Sequence, residues 1–174
     1  VNSEDKIYST LALGIYYRFR REIISYGGQE PKEENPYMFE HFVAKVMQDS
    51  LGGKAVVTKS SGDFGVDIVH TIDGKLYLAQ VKCYQPSDKI RFDPISILHS
   101  NMVKRGAEGG YFVTTSEFGD NAISYAEGLG IQLINGHDLA KFWLGKNNSW
   151  IDNPVKRSVF DEFFNGIDKL FGIK

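Results

Sequence analysis

The hydrophobic positions of this chain change period several times, and each change predicts an element. Residues 4–26, "EDKIYSTLALGIYYRFRREIISY", carry apolar side chains densely enough to read as one packed helix. "GGQEPKEENP", 27–36, is rich in Gly, Pro and charge, which predicts a linker and a boundary. A second helix is expected over about 36–51, with Asn35 as N-cap and Pro36 in the first turn. Three short apolar runs follow, "KAVVTKS", "GVDIVHTI" and "KLYLAQVKC". The first two are separated by the bend "SGDFG", and the second and third by Asp73-Gly74. A helix over about 93–105 places Ile95, Leu98 and Met102 at helical spacing. After it come a strand "GYFVTT", a helix at 119–128, a short strand "IQLI", a helix at 137–144 and a loop at 145–153. The closing segment predicts an amphipathic helix carrying Phe160, Phe163, Phe164, Ile167 and Leu170.

This order predicts an α/β fold. The three consecutive strands form an antiparallel meander, and strands entered through a helix lie parallel to their predecessors. A mixed five-stranded sheet with helices on both faces results, which accounts for strands that are apolar on both sides. The predicted divisions are an N-terminal helical extension over 1–30, a core over 36–145 and a C-terminal loop and helix over 146–174.

Three polar residues interrupt the apolar hairpin. Asp73-Gly74 suits a type I′ turn, which needs positive φ at both positions. Counting outward from that turn pairs Ile72 with Lys75 and sets Asp67 opposite Gln80. Lys82, two residues on, shares the face of Gln80, and the rest of that face is Val69, Thr71, Leu76 and Leu78. On the 36–51 helix, Phe39, Val43, Met47 and Leu51 span a stripe about 120° wide, and Glu40 falls inside it at about 100°. If that stripe packs on the Asp67 face, Glu40 joins the same cluster. Two carboxylates, an amide oxygen and an amine suit a hard cation such as Mg²⁺ beside a phosphodiester. A plainer arrangement is equally compatible with the spacing. In it Asp67 and Lys82 form a rim salt bridge, Gln80 is a hydrogen-bonded edge residue, and Glu40 is an acid of a frayed helix end.

Composition adds limits. With 42% hydrophobic and 24% charged residues, the chain is an ordinary globular domain with a net charge of −2. No global positive charge announces a polyanion partner, so such a surface must be local. A single cysteine, Cys83, excludes an internal disulfide framework and a cysteine-rich zinc site, and fits a reducing cytoplasm. No secretory signal is visible, and the apolar run "LALGIYY" falls well short of the about 20 residues of a membrane span. The chain opens on Val, so an upstream domain or membrane segment is left open.

At the hairpin the sequence resembles the Mrr-like branch of the PD-(D/E)XK restriction-endonuclease-like nucleases. The residues that carry the likeness are "FEHFVAKVMQDSLG", "SSGDFGVDIV", "LAQVKCYQ" and "GYFVTTSEFGDNAISYAEGLGIQLINGHDLAKF", over roughly 36–143. The most specific part is Gly-Asp-x-Gly-Val-Asp followed by Gln-x-Lys. The resemblance implies a restriction-endonuclease-like core, Asp67 as the metal-binding acid, and Gln80 where many relatives carry Glu or Asp. It further implies Lys82 as the catalytic lysine, Glu40 as the acid of the first core helix, and Asp63 as an accessory acid of the glycine loop. Asp63 otherwise reads as an Asx turn shaping the bend. The activity implied is a Mg²⁺-dependent (or Mn²⁺-dependent) DNA endonuclease of restriction or defence, with no small-molecule cofactor. A non-catalytic DNA-binding module of the same fold and a junction-type nuclease are the alternatives. Winged-helix targeting domains are common in the family, and the 35 residues before the core are too few for one.

Segment 75–105 holds six basic residues, Lys75, Lys82, Lys89, Arg91, Lys104 and Arg105, against Asp88 and Asp93. Lys89 and Arg91, just beyond Lys82, are expected to meet DNA phosphates, with Tyr84 and Gln85 against sugar or base. "TTS" at 114–116 reads as a cap for the following helix. His41, His70, His99 and His137 lack metal-ligand spacing and read as structural, Cys83 as packed, and "YRFRR" at 17–21 as a solvated helix face. The two terminal helices either build a homodimer or simply cover the sheet.

Overall fold

A computed structural model describes residues 3–20, 37–58 and 65–145. Outside the described residues lie the expected helix continuation to Tyr26, the 27–36 linker with Asn35 and Pro36, the bend with Asp63, and everything from 146 onward. The elements are α1 (Ser3–Phe19), α2 (Tyr37–Leu51), β1 (Lys54–Val57), β2 (Ile68–Ile72), β3 (Lys75–Lys82), β4 (Lys89–Ile90), α3 (Phe92–Arg105), β5 (Gly109–Thr114), β6 (Glu117–Phe118), α4 (Asp120–Ala126), β7 (Ile131–Ile134) and α5 (Gly136–Trp143). β1, β2 and β3 form the antiparallel meander, and β5 and β7 add in parallel, giving the order β1-β2-β3-β5-β7. The mixed five-stranded sheet follows the expected topology. The two-residue strands β4 and β6, paired in parallel, do not appear in the sequence reading, because two residues display no period.

Alternation along β3 sorts the core into two layers. Tyr77, Ala79, Val81 and Cys83 face a cluster shared with α1, α2 and α5, which includes Val43, Met47, Ile68, Val113 and Leu139. Leu76 and Leu78 face the other cluster, with Ile95, Leu98 and Met102 of α3, Phe112, and Ala122 of α4. β5 lies between them and is buried along its full length, as a central parallel strand must be. Each fully buried side chain such as Leu78 or Phe112 contributes about 1.5–3 kcal/mol. On the α2 face of the sheet, His70 Nε2 lies 2.7 Å from the Gly52 carbonyl. A carbonyl only accepts, so Nε2 carries the proton and neutral Nδ1 accepts from Tyr111 Oη at 3.0 Å. Burial pushes the Tyr111 phenol far above its ordinary range. α1 covers α5 through Tyr8, whose ring stands edge-on to His137 and under Lys141 Nζ.

Candidate active site

The β2–β3 turn sets the geometry. Asp73 (φ 49°) and Gly74 (φ 77°) both sit in the left-handed region, as a type I′ turn requires. Ile72 faces Lys75, and the ladder runs unbroken to Ile68 opposite Ala79. One residue further, the pairing changes character. Asp67 donates its N–H to the Ala79 carbonyl at 2.8 Å, and its Oδ2 accepts the Val81 N–H at 2.7 Å. The carboxylate thus takes the place of a ladder carbonyl, and Asp67 brackets Gln80 from both sides. On its other flank the Asp67 carbonyl accepts the Thr58 N–H at 2.9 Å.

Gln80 is 5% exposed, and its Oε1 is buried without a hydrogen-bond partner among the described residues. A buried amide oxygen left unpaired costs about 1–3 kcal/mol. The amide oxygen of the expected hydrogen-bonded edge residue is thus left without a bond among the described residues. Lys82 is half-buried at the last position of β3 and makes no ion pair among the described residues, so the rim salt bridge with Asp67 is not formed. Against Gln80 lies Gly65, at φ 83°, where a Cβ would stand 3.3 Å from Gln80 Nε2 and 2.8 Å from Ile97 Cγ2. Gly65 thus stands beside both the amide and Ile97, an approach that nothing in the spacing of the sequence signalled.

Glu40 requires a correction. The stripe of α2 packs on the layer of Ile68, Ala79 and Val81, opposite Gln80 and Lys82. The expectation that Glu40 shares their face fails, because an apolar stripe reports that a helix is buried and not which side of a sheet it meets. Leu51 and Tyr77 line one cavity at the turn end of the sheet. From there Glu40 lies about 16 Å back along α2, and Lys82 about 16 Å along β3. Glu40 itself is half-buried. Among the described residues no three His, Cys, Asp or Glu side chains gather as for a metal. The oxygen donors that the hairpin brings together are one carboxylate, Asp67, and one amide, Gln80. These are hard donors that suit Mg²⁺ or Mn²⁺, and the unpaired Oε1 is an acceptor that a cation would satisfy.

Beyond Lys82 the chain enters a loop and then β4. Tyr84 and Gln85 are exposed there, as are Lys89 and Arg91. Lys89 lies beside Glu117 in the β4–β6 pair, and Arg91 Nε is 3.2 Å from Asp93 Oδ2. The basic excess of segment 75–105 is divided in space. Lys75 sits at the hairpin turn, bonded to Glu108 at 3.1 Å, and the α3 C-terminus with Lys104 and Arg105 leads straight to the Glu108 N–H on the Leu76 carbonyl. Only Lys82, Lys89 and Arg91 stand toward the rim.

The hydroxyls of 114–116 do not cap α4, whose N-cap Gly119 has no side-chain bond. Thr114 and Ser116 bond each other at 2.8 Å, and Thr115 Oγ1 donates to the Tyr84 carbonyl at 2.6 Å. Cys83 points away from Lys82 into the α2 layer, and burial pushes its thiol above the ordinary range. Arg18 and Arg20 lie over the rings of Phe19 and Tyr17. Among the described residues no helix is long and apolar enough to cross a membrane.

Comparison with solved structures finds the same fold. The DNA modification-dependent restriction endonuclease AspBHI superposes with a TM-score of 0.60 at 19% identity, over 97% of this chain and 41% of its own. The MspJI restriction endonuclease in complex with a 27-mer oligonucleotide gives 0.55 at 22% identity, over 97% of this chain and 34% of its own. A protein of unknown function, AF1548, gives 0.53 at 18% identity, over 76% of this chain and 78% of its own. The chain thus spans less than half the length of either restriction enzyme. Among curated proteins none matches it. The family model described as Mrr_cat, restriction endonuclease, matches residues 31–143, and the chain belongs to that family.

Proposed function

We propose that this chain is the cleavage domain of a Mg²⁺-dependent DNA endonuclease of the restriction type. The observation that carries the proposal is the buried Oε1 of Gln80, bracketed by Asp67 and followed by Lys82, with neither Oε1 nor Lys82 Nζ paired among the described residues. Family membership supports nuclease chemistry, and the oligonucleotide bound to the MspJI neighbour supports DNA as the partner.

Asp67 and Gln80 would hold the metal, with Glu40 a further contributor from α2 and Asp63 an accessory acid. When bound, the cation supplies polarisation of the phosphodiester and a water of lowered pKa. The Val81 N–H fixes the Asp67 carboxylate, so its orientation does not depend on the ligand. Gln80 offers an oxygen without adding a second negative charge beside a polyanion. Lys82 Nζ is an ammonium available to donate to the phosphate oxygens as their charge grows. In the reaction a water oxygen bonds to phosphorus, one P–O ester bond breaks, and the leaving oxygen takes a proton. Lys89 and Arg91 would hold flanking phosphates, with Tyr84 and Gln85 against sugar or base.

The test is incubation with plasmid, methylated plasmid, single-stranded DNA and a four-way junction, in Mg²⁺, Mn²⁺ or EDTA, beside Lys82→Ala. Metal-dependent cutting that disappears in Lys82→Ala is the expected result. Binding without cutting on every substrate would replace the enzyme with a DNA-binding module. Equal cutting by the variant would remove Lys82 from the chemistry.

A further inference from the structure

We infer that Thr115 is a positioning residue that holds the DNA-contacting loop in register with Lys82; this rests on the nuclease reading above. The parallel ladder between β3 and β5 ends with Lys82 beside Thr114. Thr115 extends it by two bonds of different origin. Its backbone N–H donates to the Lys82 carbonyl at 3.2 Å, and its hydroxyl donates to the Tyr84 carbonyl at 2.6 Å. The two bonds straddle Cys83. Cys83 Sγ is also near the Thr115 hydroxyl, at 3.9 Å, but one hydroxyl proton serves the shorter and stronger acceptor. Thr115 is 3% exposed, so water does not replace the bond if it is removed.

What this bond controls is the path of the chain as it leaves Lys82. The next residues carry all four proposed DNA contacts, Tyr84, Gln85, Lys89 and Arg91. The far end of the loop is tied down separately. Glu117 N–H reaches the Asp88 carbonyl, and Gly119 N–H donates to the Ile90 carbonyl at 2.9 Å. Residues 115–119 therefore form one rail that grips the loop at both ends, and Thr115 is the only grip on that rail made by a side chain among the described residues. A side-chain grip can be removed by mutation while the backbone bonds remain.

The experiment compares the full chain with Thr115→Val, which keeps the shape and loses the donor, Thr115→Ala, and Thr115→Ser, which keeps the donor. Hydrogen exchange over residues 83–91 is read first. It should quicken by about 3- to 10-fold in Val and Ala, and stay at the wild-type rate in Ser. Cleavage of a duplex is read second. The DNA concentration giving half-maximal rate should rise by a similar factor in Val and Ala, while the saturating rate stays within about twofold. Unchanged exchange in a folded Val or Ala variant overturns the grip. Faster exchange with unchanged half-saturation overturns its part in DNA binding, as does a fall confined to the saturating rate. If the wild type neither binds nor cuts DNA, the nuclease reading fails, and its failure is separate from the exchange result.

Discussion

Replacing Gly65 by alanine tests its close approach to Gln80 and Ile97. Gly65 holds φ at 83°, a conformation that costs an L residue about 1–2 kcal/mol. The new methyl group would also stand 2.8 Å from Ile97 Cγ2, well inside contact distance. Ile97 is β-branched and stiff at χ1, so turning it aside by some 30° adds about 0.5–1.5 kcal/mol. Reduced freedom of the unfolded chain returns about 0.4–1 kcal/mol. The net expectation is a loss of about 0.5–3 kcal/mol, read by urea unfolding followed by circular dichroism. Ile97→Ala provides the control. Ile97 is 47% exposed, so its own truncation costs little. In that background Gly65→Ala should lose less, by the about 0.5–1.5 kcal/mol that belonged to the collision, while the backbone part remains. Beside Gln80, the 3.3 Å approach to Nε2 should raise the Mg²⁺ concentration needed for half-maximal cleavage several-fold. A Gly65→Ala protein as stable as the wild type, or a cycle with no coupling to Ile97, would refute the reasoning.

Three further outcomes are expected. Tyr111→Phe removes the hydroxyl bonded to buried His70 Nδ1 and should cost about 1–3 kcal/mol in urea unfolding; a loss under about 0.5 kcal/mol would show that the site relaxes. Lys89→Ala with Arg91→Ala should weaken duplex binding and reduce the salt dependence by up to about two units of slope, whereas Lys104→Ala with Arg105→Ala at the other end should leave both nearly unchanged. Equal effects from the two pairs would contradict the division of charge. Cys83, with its thiol pushed up by burial, carries less thiolate than a free cysteine at pH 8, so iodoacetamide should modify it more slowly in the folded chain than in urea. Equal rates would place the thiol in water.

The sequence by itself determined whatever depends on neighbours in the chain. Asp73-Gly74 specifies its turn because two positive φ values are a local demand, and that turn carried the register as far as Ile68 opposite Ala79. Strand alternation then put Gln80 and Lys82 on one face and Cys83 on the other. Helical spacing identified Ile95, Leu98 and Met102 as core, and all three are buried. Beyond Ile68 the local rule ended: the Asp67 carboxylate displaced a backbone acceptor, which depends on the flanking Thr58 and Val81 as well as on the turn. Tertiary structure alone decided which face of the sheet received α2, the one opposite Gln80 and Lys82. It separated a basic run of sequence into two ends of the molecule, because a strand and a helix that reverse direction carry neighbours in charge apart. It also gave the Thr115 hydroxyl its carbonyl partner, 31 residues away along the chain. Periodicity reports how a segment divides itself between core and solvent. Which other segment it meets is fixed only when the layers close.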